Sequence, residues 1–184
     1  MTSTAPLPNL ENGYWGIMAL PVLETYLRNI QHVNRQNTIY VRSSFDADIA
    51  AIRDRLAVAL GVAAEEIALT RGATEALQTL IAGYNRLKRG DVVLYADLDY
   101  DSMQYAMAML ETRRGVTVKS FAIPEPATRA SVLDAYRKVL DETAAARLLL
   151  LTHLSHRTGL VLPVREIAAY GPQPGRRRHS RRSA

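Results

Sequence analysis

The chain has 184 residues, of which 48% are hydrophobic and 22% are charged, so it is long enough and apolar enough to bury a core. It contains no cysteine, which excludes disulfide bonds, thiolate metal sites and a cysteine nucleophile in this sequence. The formal net charge of +5 is carried by arginines near the end of the chain, so no basic face is predicted elsewhere. The sequence lacks a secretory pattern and a membrane-spanning apolar run, and we expect a cytoplasmic protein without membrane contact.

Residues 1–60 are predicted to form an N-terminal arm followed by helices. The arm extends to about Leu10, and Pro21 suits the first turn of a helix. Asp46 is predicted to cap the next helix, and Gly61 to end it. One face of the first helix carries apolar side chains, namely Leu23, Tyr26, Leu27 and Ile30.

Residues 61–170 alternate between strand and helix patterns. The predicted strands are residues 67–70, 92–96, 116–122 and 147–152. The predicted helices are residues 73–87, 102–114 and 130–140, with a last helix opening at Pro163. This alternation predicts an α/β fold with a mostly parallel sheet and flanking helices. The aliphatic run in the last strand predicts burial on both faces.

Residues 171–184 have no apolar period, and they are predicted to be a disordered basic tail. Two further interpretations stay open for this segment. It is either an arginine-rich arm that contacts nucleic acid, in a non-enzymatic α/β binding module, or the product of a shifted reading frame. We favour the shifted reading frame, because a helical pattern is interrupted just before the tail. We therefore do not expect nucleic acid to be a partner of this protein.

Three loops that follow predicted strands carry residues suited to binding a small molecule. In the first, Gly72 turns the chain, and Ala73 and Thr74 open a helix whose free N–H groups suit an anion. The second, residues 95–104, contains Tyr100, and the third, residues 151–159, contains His156 and the neighbouring arginine. Open α/β sheets bind ligands at this carboxyl edge of their strands.

In their order and spacing these three loops resemble the cofactor-facing loops of class V aminotransferases of fold type I, and most closely the isopenicillin N epimerase-like branch. The resemblance covers roughly residues 9–169. It implies a partial large domain that binds pyridoxal 5′-phosphate, preceded by a helical segment. It also implies chemistry at the α-carbon of an amino acid, by transamination, epimerisation or a lyase-type removal of sulfur, and a homodimer in the intact family.

The resemblance gives each loop a role. Residues 72–74 would bind the phosphate, and Tyr100 would stack on the pyridine ring. His156 would contact the phenolic oxygen of the cofactor, at a position where relatives often carry an asparagine. Arg157 would pair with a substrate carboxylate. Each of these residues also has an ordinary structural interpretation. Residues 72–74 would be a capped helix start, Tyr100 would anchor its loop, and Arg157 would be a surface guanidinium.

Two groups that the family requires, a lysine that holds the cofactor covalently and a carboxylate on its ring nitrogen, have no assigned counterpart. The lysines are Lys88, Lys119 and Lys138, and none stands in the family's lysine context. We therefore assign no catalytic residue and no metal ligand, and we expect non-covalent cofactor binding at best and no activity. The family's strand order further predicts that residues 67–70 lack a neighbouring strand and that the last strand has one unpaired edge.

Overall fold

The computed structural model describes Gly13 and residues 16–171. The predictions for the opening arm as far as Leu10 and for the basic tail from residue 172 onward lie outside the described residues. The described part of the chain falls into two compact units that divide between Leu69 and Thr70. The domain boundary after residue 60 stays a prediction.

The first unit is helical. It contains α1 (Leu20–Gln36), α2 (Thr38–Ser43), α3 (Phe45–Leu60) and a short 3-10 helix at Ala64–Glu66. Pro21 lies in the first turn of α1, and Gly61 ends α3 in the left-handed conformation with φ 67°, as predicted. The cap prediction for Asp46 is wrong. The carbonyl of Ser44 accepts the first helical hydrogen bond, from the Asp48 amide at 3.0 Å, so Asp46 lies inside the first turn.

The apolar face predicted for α1 is present but largely exposed. Tyr26, Leu27 and Ile30 each keep about half of their surface in solvent, whereas Leu23 is half-buried. None of the helices among the described residues combines the length and the apolar character needed to cross a membrane.

The second unit alternates helices and strands. In chain order it contains α4 (Ala73–Gly83), β1 (Val92–Ala96), α5 (Asp101–Arg114), β2 (Thr117–Phe121), α6 (Arg129–Glu142), β3 (Ala146–Leu149) and α7 (Val164–Tyr170). The strands form one sheet in the order β2-β1-β3, and both pairings are parallel. This confirms the predicted α/β class with a parallel sheet and flanking helices.

Strand β1 is the centre of the core because it is covered on both faces. Val93 packs with Met103 and Met107 of α5, whereas Ala96 packs with Tyr136 of α6 and Ile167 of α7. Each of these side chains is at most 2% exposed. Alternate residues of a strand point to opposite faces, so β1 joins the two helical layers.

Residues 67–70 do not form a strand, and that prediction is wrong. Ile67 is half-buried, Leu69 is exposed, and the segment belongs to no sheet among the described residues. A short extended segment becomes a strand only where a neighbour completes its backbone hydrogen bonds.

Strand β3 is less buried than its aliphatic sequence predicts. Arg147 is exposed, and Leu148 and Leu149 are only half-buried. The physical reason is its position at the edge of the sheet, because within the described residues β3 pairs with β1 alone. No partner strand lies on its outer edge in the part of the chain that the structure describes.

Candidate functional site

The β1–α5 loop, residues 97–100, is a tight turn fixed by a buried carboxylate. Asp99 is 1% exposed, and its Oδ2 accepts a hydrogen bond of 2.7 Å from the amide of Ala96. The side-chain amide of Gln104, one turn into α5, donates to the carbonyl oxygens of Asp99 at 2.7 Å and Asp97 at 3.2 Å. These bonds fix Tyr100 just before α5, at the carboxyl edge of β1.

The β3–α7 loop, residues 150–163, forms a small closed turn at the same edge of the sheet. Leu154 and Val161 pair in an antiparallel bridge, and the Gly159 amide donates to the carbonyl of Ser155 at 2.9 Å. Gly159 has φ 70°, a conformation that glycine adopts without strain. The turn carries His156 at its exposed end.

Tyr100 and His156 meet across the two loops. Their ring centroids are 4.9 Å apart and their planes are inclined by 82°, an edge-to-face contact. Tyr100 is 42% exposed, so part of its ring stays open to a ligand. The pair therefore presents an aromatic surface and an imidazole at the carboxyl ends of two neighbouring parallel strands.

Hydrogen bonds between Asp99 and Thr152 also join the same two loops. The Oδ1 atom of Asp99 accepts from the amide of Thr152 at 3.2 Å and from its hydroxyl at 2.5 Å. Burial raises the pKa of the Asp99 carboxyl, and this effect exceeds the opposing effect of its hydrogen bonds to Thr152 and Ala96. The sequence analysis did not single out Asp99, in the loop after β1, or Thr152, in the loop after β3.

Arg157 forms an ion pair with Asp101, the first residue of α5. Both side chains are about half exposed. The guanidinium therefore faces a carboxylate, the group that it was predicted to bind, but this carboxylate belongs to the protein. The pair is a second and more exposed link between the β1–α5 loop and the β3–α7 loop.

The predicted phosphate turn lies at the start of α4. Gly72 precedes the helix in an extended conformation, with φ 173° and ψ 170°, and a Cβ atom at this position would meet no atom within 4 Å. Ala73 and Thr74 occupy the exposed first turn, where a helix leaves N–H groups without internal partners. In the described structure no hydrogen bond, ion pair or ring contact connects this turn to the Tyr100–His156 pair.

None of the lysines lies with these residues. Lys119 donates from Nζ to the hydroxyl of Thr143 at 3.3 Å, and Thr143 precedes β3, at the opposite end of the strand from His156. Lys88 is exposed between α4 and β1, and Lys138 is exposed on α6. Gly13 and residues 16–171 also hold no cluster of three side chains that could bind a metal ion.

Curated relatives match the chain over part of their length. Cysteine desulfurases of Yersinia pestis (strain Pestoides F) and Yersinia pseudotuberculosis serotype O:3 (strain YPIII) are each 30% identical to it over 128 residues. Each match covers 68% of this chain and 30% of the relative. The chain thus spans less than a third of the length of these relatives.

Solved structures share the fold. The cystine C-S lyase C-DES, in complex with its reaction product cysteine persulfide, superposes with a TM-score of 0.74 at 24% identity, over 86% of this chain and 41% of its own. The Escherichia coli cysteine desulfurase CsdA gives a TM-score of 0.59 at 21% identity, over 68% of this chain and 31% of its own. The chain therefore shares its fold with part of each of these solved chains.

The family assignment follows from a sequence match that covers most of the chain. The profile of the family described as aminotransferase class V matches residues 19–176. This stretch includes the β1–α5 loop and the β3–α7 loop, as well as the turn before α4. The chain belongs to the aminotransferase class V family.

Proposed function

We propose that this chain carries the cofactor-facing loops of a pyridoxal-phosphate enzyme that acts at the α-carbon of an amino acid. The observation that carries the proposal is the contact between Tyr100 and His156, with ring centroids 4.9 Å apart. The two residues follow neighbouring parallel strands, and the carboxyl edge of such strands is where open α/β sheets bind ligands.

The residues present suit the three parts of pyridoxal phosphate. The free first-turn amides of α4 and the Thr74 hydroxyl are donors for a phosphate group, and the positive end of the helix favours an anion. The partly exposed ring of Tyr100 suits a flat ligand ring, and the imidazole of His156 can donate to a phenolic oxygen. When bound, the cofactor supplies an electron sink for bonds broken at the substrate α-carbon.

Within this proposal each side chain binds or orients. The edge-to-face contact restricts both rings, so a ligand meets Tyr100 and His156 in a fixed relative orientation. Arg157 binds the substrate carboxylate by exchanging it for the carboxylate of Asp101, which it holds in the structure. Because both carboxylates have the same charge, this exchange leaves the net charge at the guanidinium unchanged.

For the pyridoxal-phosphate enzyme whose cofactor-facing loops this chain carries, we propose, among the chemistries open to the family, a lyase-type removal of sulfur from a sulfur-containing amino acid. The support is the naming of the relatives, which are cysteine desulfurases and a cystine C-S lyase. Transamination, the epimerase-like branch and a homodimer stay predictions. Since Lys88, Lys119 and Lys138 all lie away from the Tyr100–His156 pair, we expect this chain to bind the cofactor without turnover.

Calorimetric titration of the 184-residue chain with pyridoxine 5′-phosphate tests the proposal. This analogue has an alcohol in place of the aldehyde, so it does not react with surface lysines. We expect it to bind at least about tenfold more tightly than pyridoxine, which lacks the phosphate. Equal binding of the two compounds would contradict the phosphate site.

Matched variants locate the binding. Thr74→Ala and Tyr100→Leu should each weaken the binding of pyridoxine 5′-phosphate, whereas Thr79→Ala and Tyr105→Leu should not. Thr79 is an exposed threonine on the same helix as Thr74, and Tyr105 is 73% exposed on the helix that follows Tyr100. Equal effects within each pair would show that the binding is not at the proposed site.

A further inference from the structure

We infer that Asp99 is a positioning residue, whose buried carboxylate holds the β1–α5 loop against the β3–α7 loop and thereby sets the contact between Tyr100 and His156. The ligand-binding consequence of this inference rests on the proposed function. The contact itself does not, so it can be tested separately.

The carboxylate is suited to this role because its two oxygens accept hydrogen bonds from different segments of the chain. Oδ2 closes its own loop through the Ala96 amide at 2.7 Å. Oδ1 reaches the other loop and accepts from both the amide and the hydroxyl of Thr152, at 3.2 Å and 2.5 Å. With Asp99 only 1% exposed, water does not compete effectively for these hydrogen bonds.

The two residues that Asp99 would position each follow one partner of the Asp99–Thr152 hydrogen bonds in the chain. Tyr100 is the immediate neighbour of Asp99, and His156 follows Thr152 in the same loop. The β3–α7 loop is internally closed by the Leu154–Val161 bridge, so a displacement at Thr152 moves the turn as a body. The spacing of the two rings is therefore sensitive to the Asp99–Thr152 bonds.

Other links near the site do not replace this one. The Asp101–Arg157 pair joins the same loops, but it is about half exposed, and exposed ion pairs fix geometry weakly. The other carboxylate of the β1–α5 loop, Asp97, accepts from the Ile123 amide at 3.0 Å, after the end of β2. Asp97 therefore ties the loop to a different strand and provides a matched control.

The ligand test compares Thr152→Val, Thr152→Ser and Asp97→Asn in the full chain. Valine keeps the shape of threonine but removes the hydroxyl that Asp99 accepts from, serine keeps the hydroxyl, and Asp97→Asn alters the control carboxylate. We expect Thr152→Val to weaken the binding of pyridoxine 5′-phosphate by about tenfold and to leave the binding of inorganic phosphate unchanged. Thr152→Ser and Asp97→Asn should bind both probes as the wild type does.

A ligand-free readout is the proton NMR spectrum of the two rings. The ring-current shifts that Tyr100 and His156 impose on each other should be present in the wild type and in Thr152→Ser, and reduced in Thr152→Val. Spectra of Tyr100→Leu and His156→Gln assign these signals and define the values without the contact. Unchanged ring-current shifts in Thr152→Val would overturn the inference.

The two readouts separate the inference from the proposed function. If the wild type binds neither probe, the proposed function fails, and the NMR comparison alone decides the role of Asp99. If Thr152→Val loses inorganic phosphate and pyridoxine 5′-phosphate equally, the change is a general loss of structure and the inference is wrong.

Discussion

Replacing Tyr136 by phenylalanine should stabilise the protein. Tyr136 lies on α6 at 0% exposure, with its ring edge-on to Phe121 at a centroid distance of 4.9 Å. Its hydroxyl oxygen is buried and has no hydrogen-bond partner among the described residues. Burial, together with the nearby charges of Asp99 and Asp97, raises the pKa of this hydroxyl, so it stays neutral.

The size of the effect follows from what the substitution removes and keeps. An unsatisfied buried polar group costs about 1–3 kcal/mol, and Tyr136→Phe eliminates it. The aromatic ring and its contact with Phe121 remain, so no large cavity forms. Allowing for the small volume lost with the oxygen, we expect a gain of about 1 kcal/mol in the free energy of unfolding.

Urea unfolding followed by circular dichroism measures this gain. With a denaturant slope of about 2 kcal/mol/M, the midpoint should rise by about 0.5 M while the slope stays constant. Tyr105→Phe is the control, because this tyrosine is 73% exposed and its hydroxyl is in solvent. A midpoint that falls in Tyr136→Phe would refute the reasoning and show that the hydroxyl has a partner, such as a bound water that reaches Asp99.

Three further predictions concern the second unit. Ile167→Ala removes a side chain with 0% exposure and should cost about 2–5 kcal/mol, seen as a lower urea midpoint; a shift below about 0.5 kcal/mol would show that α7 does not contribute to the core. Gly115→Ala places an alanine at φ 65°, with its Cβ atom 3.2 Å from Cγ of Arg89. This strain should lower the free energy of unfolding by about 1–2 kcal/mol and thereby lower the melting temperature. An unchanged melting temperature would argue against the strain. Burial raises the pKa of the Asp99 carboxyl above its unfolded value of about 4, so the folded state binds the carboxyl proton more tightly than the unfolded state does. The contribution of this proton to the free energy of unfolding is therefore greatest below about pH 4 and is lost as the pH rises through the raised pKa. The cost of Asp99→Asn in urea midpoints should therefore be larger at pH 4 than at pH 7, and the opposite order would contradict the direction of the shift.

The sequence predicted the centre of the fold well because there the local pattern and the tertiary environment agree. Val92–Ala96 is an apolar run bounded by turn residues, and it forms β1 over those residues. The helix predicted over residues 102–114 ends at Arg114, and Gly115 follows it in the left-handed conformation. Parallel strands also explain why Tyr100 and His156, far apart in the chain, were expected at one edge and are found in contact.

What the sequence did not reveal depends on partners that no local pattern encodes. Residues 67–70 are as apolar as a strand, but strand formation requires a neighbour for their backbone groups. Likewise, the sequence shows Asp99 only as a polar loop residue, because its hydrogen bond of 2.5 Å from the Thr152 hydroxyl to Oδ1 forms only in the folded chain. A helix start is also set by which carbonyl accepts the first bond, and this is why Ser44, not Asp46, precedes α3.

Since no described strand covers the outer edge of β3, this edge has a practical consequence for experiments with this chain. A row of backbone donors and acceptors along Ala146–Leu149 offers a template on which a strand from another molecule can add. Such addition is a second-order process, so its extent increases with protein concentration, whereas ring contacts and buried hydroxyls within one molecule do not change. Titrations and melting curves should accordingly be repeated across a dilution series, and only effects that persist on dilution belong to the single chain.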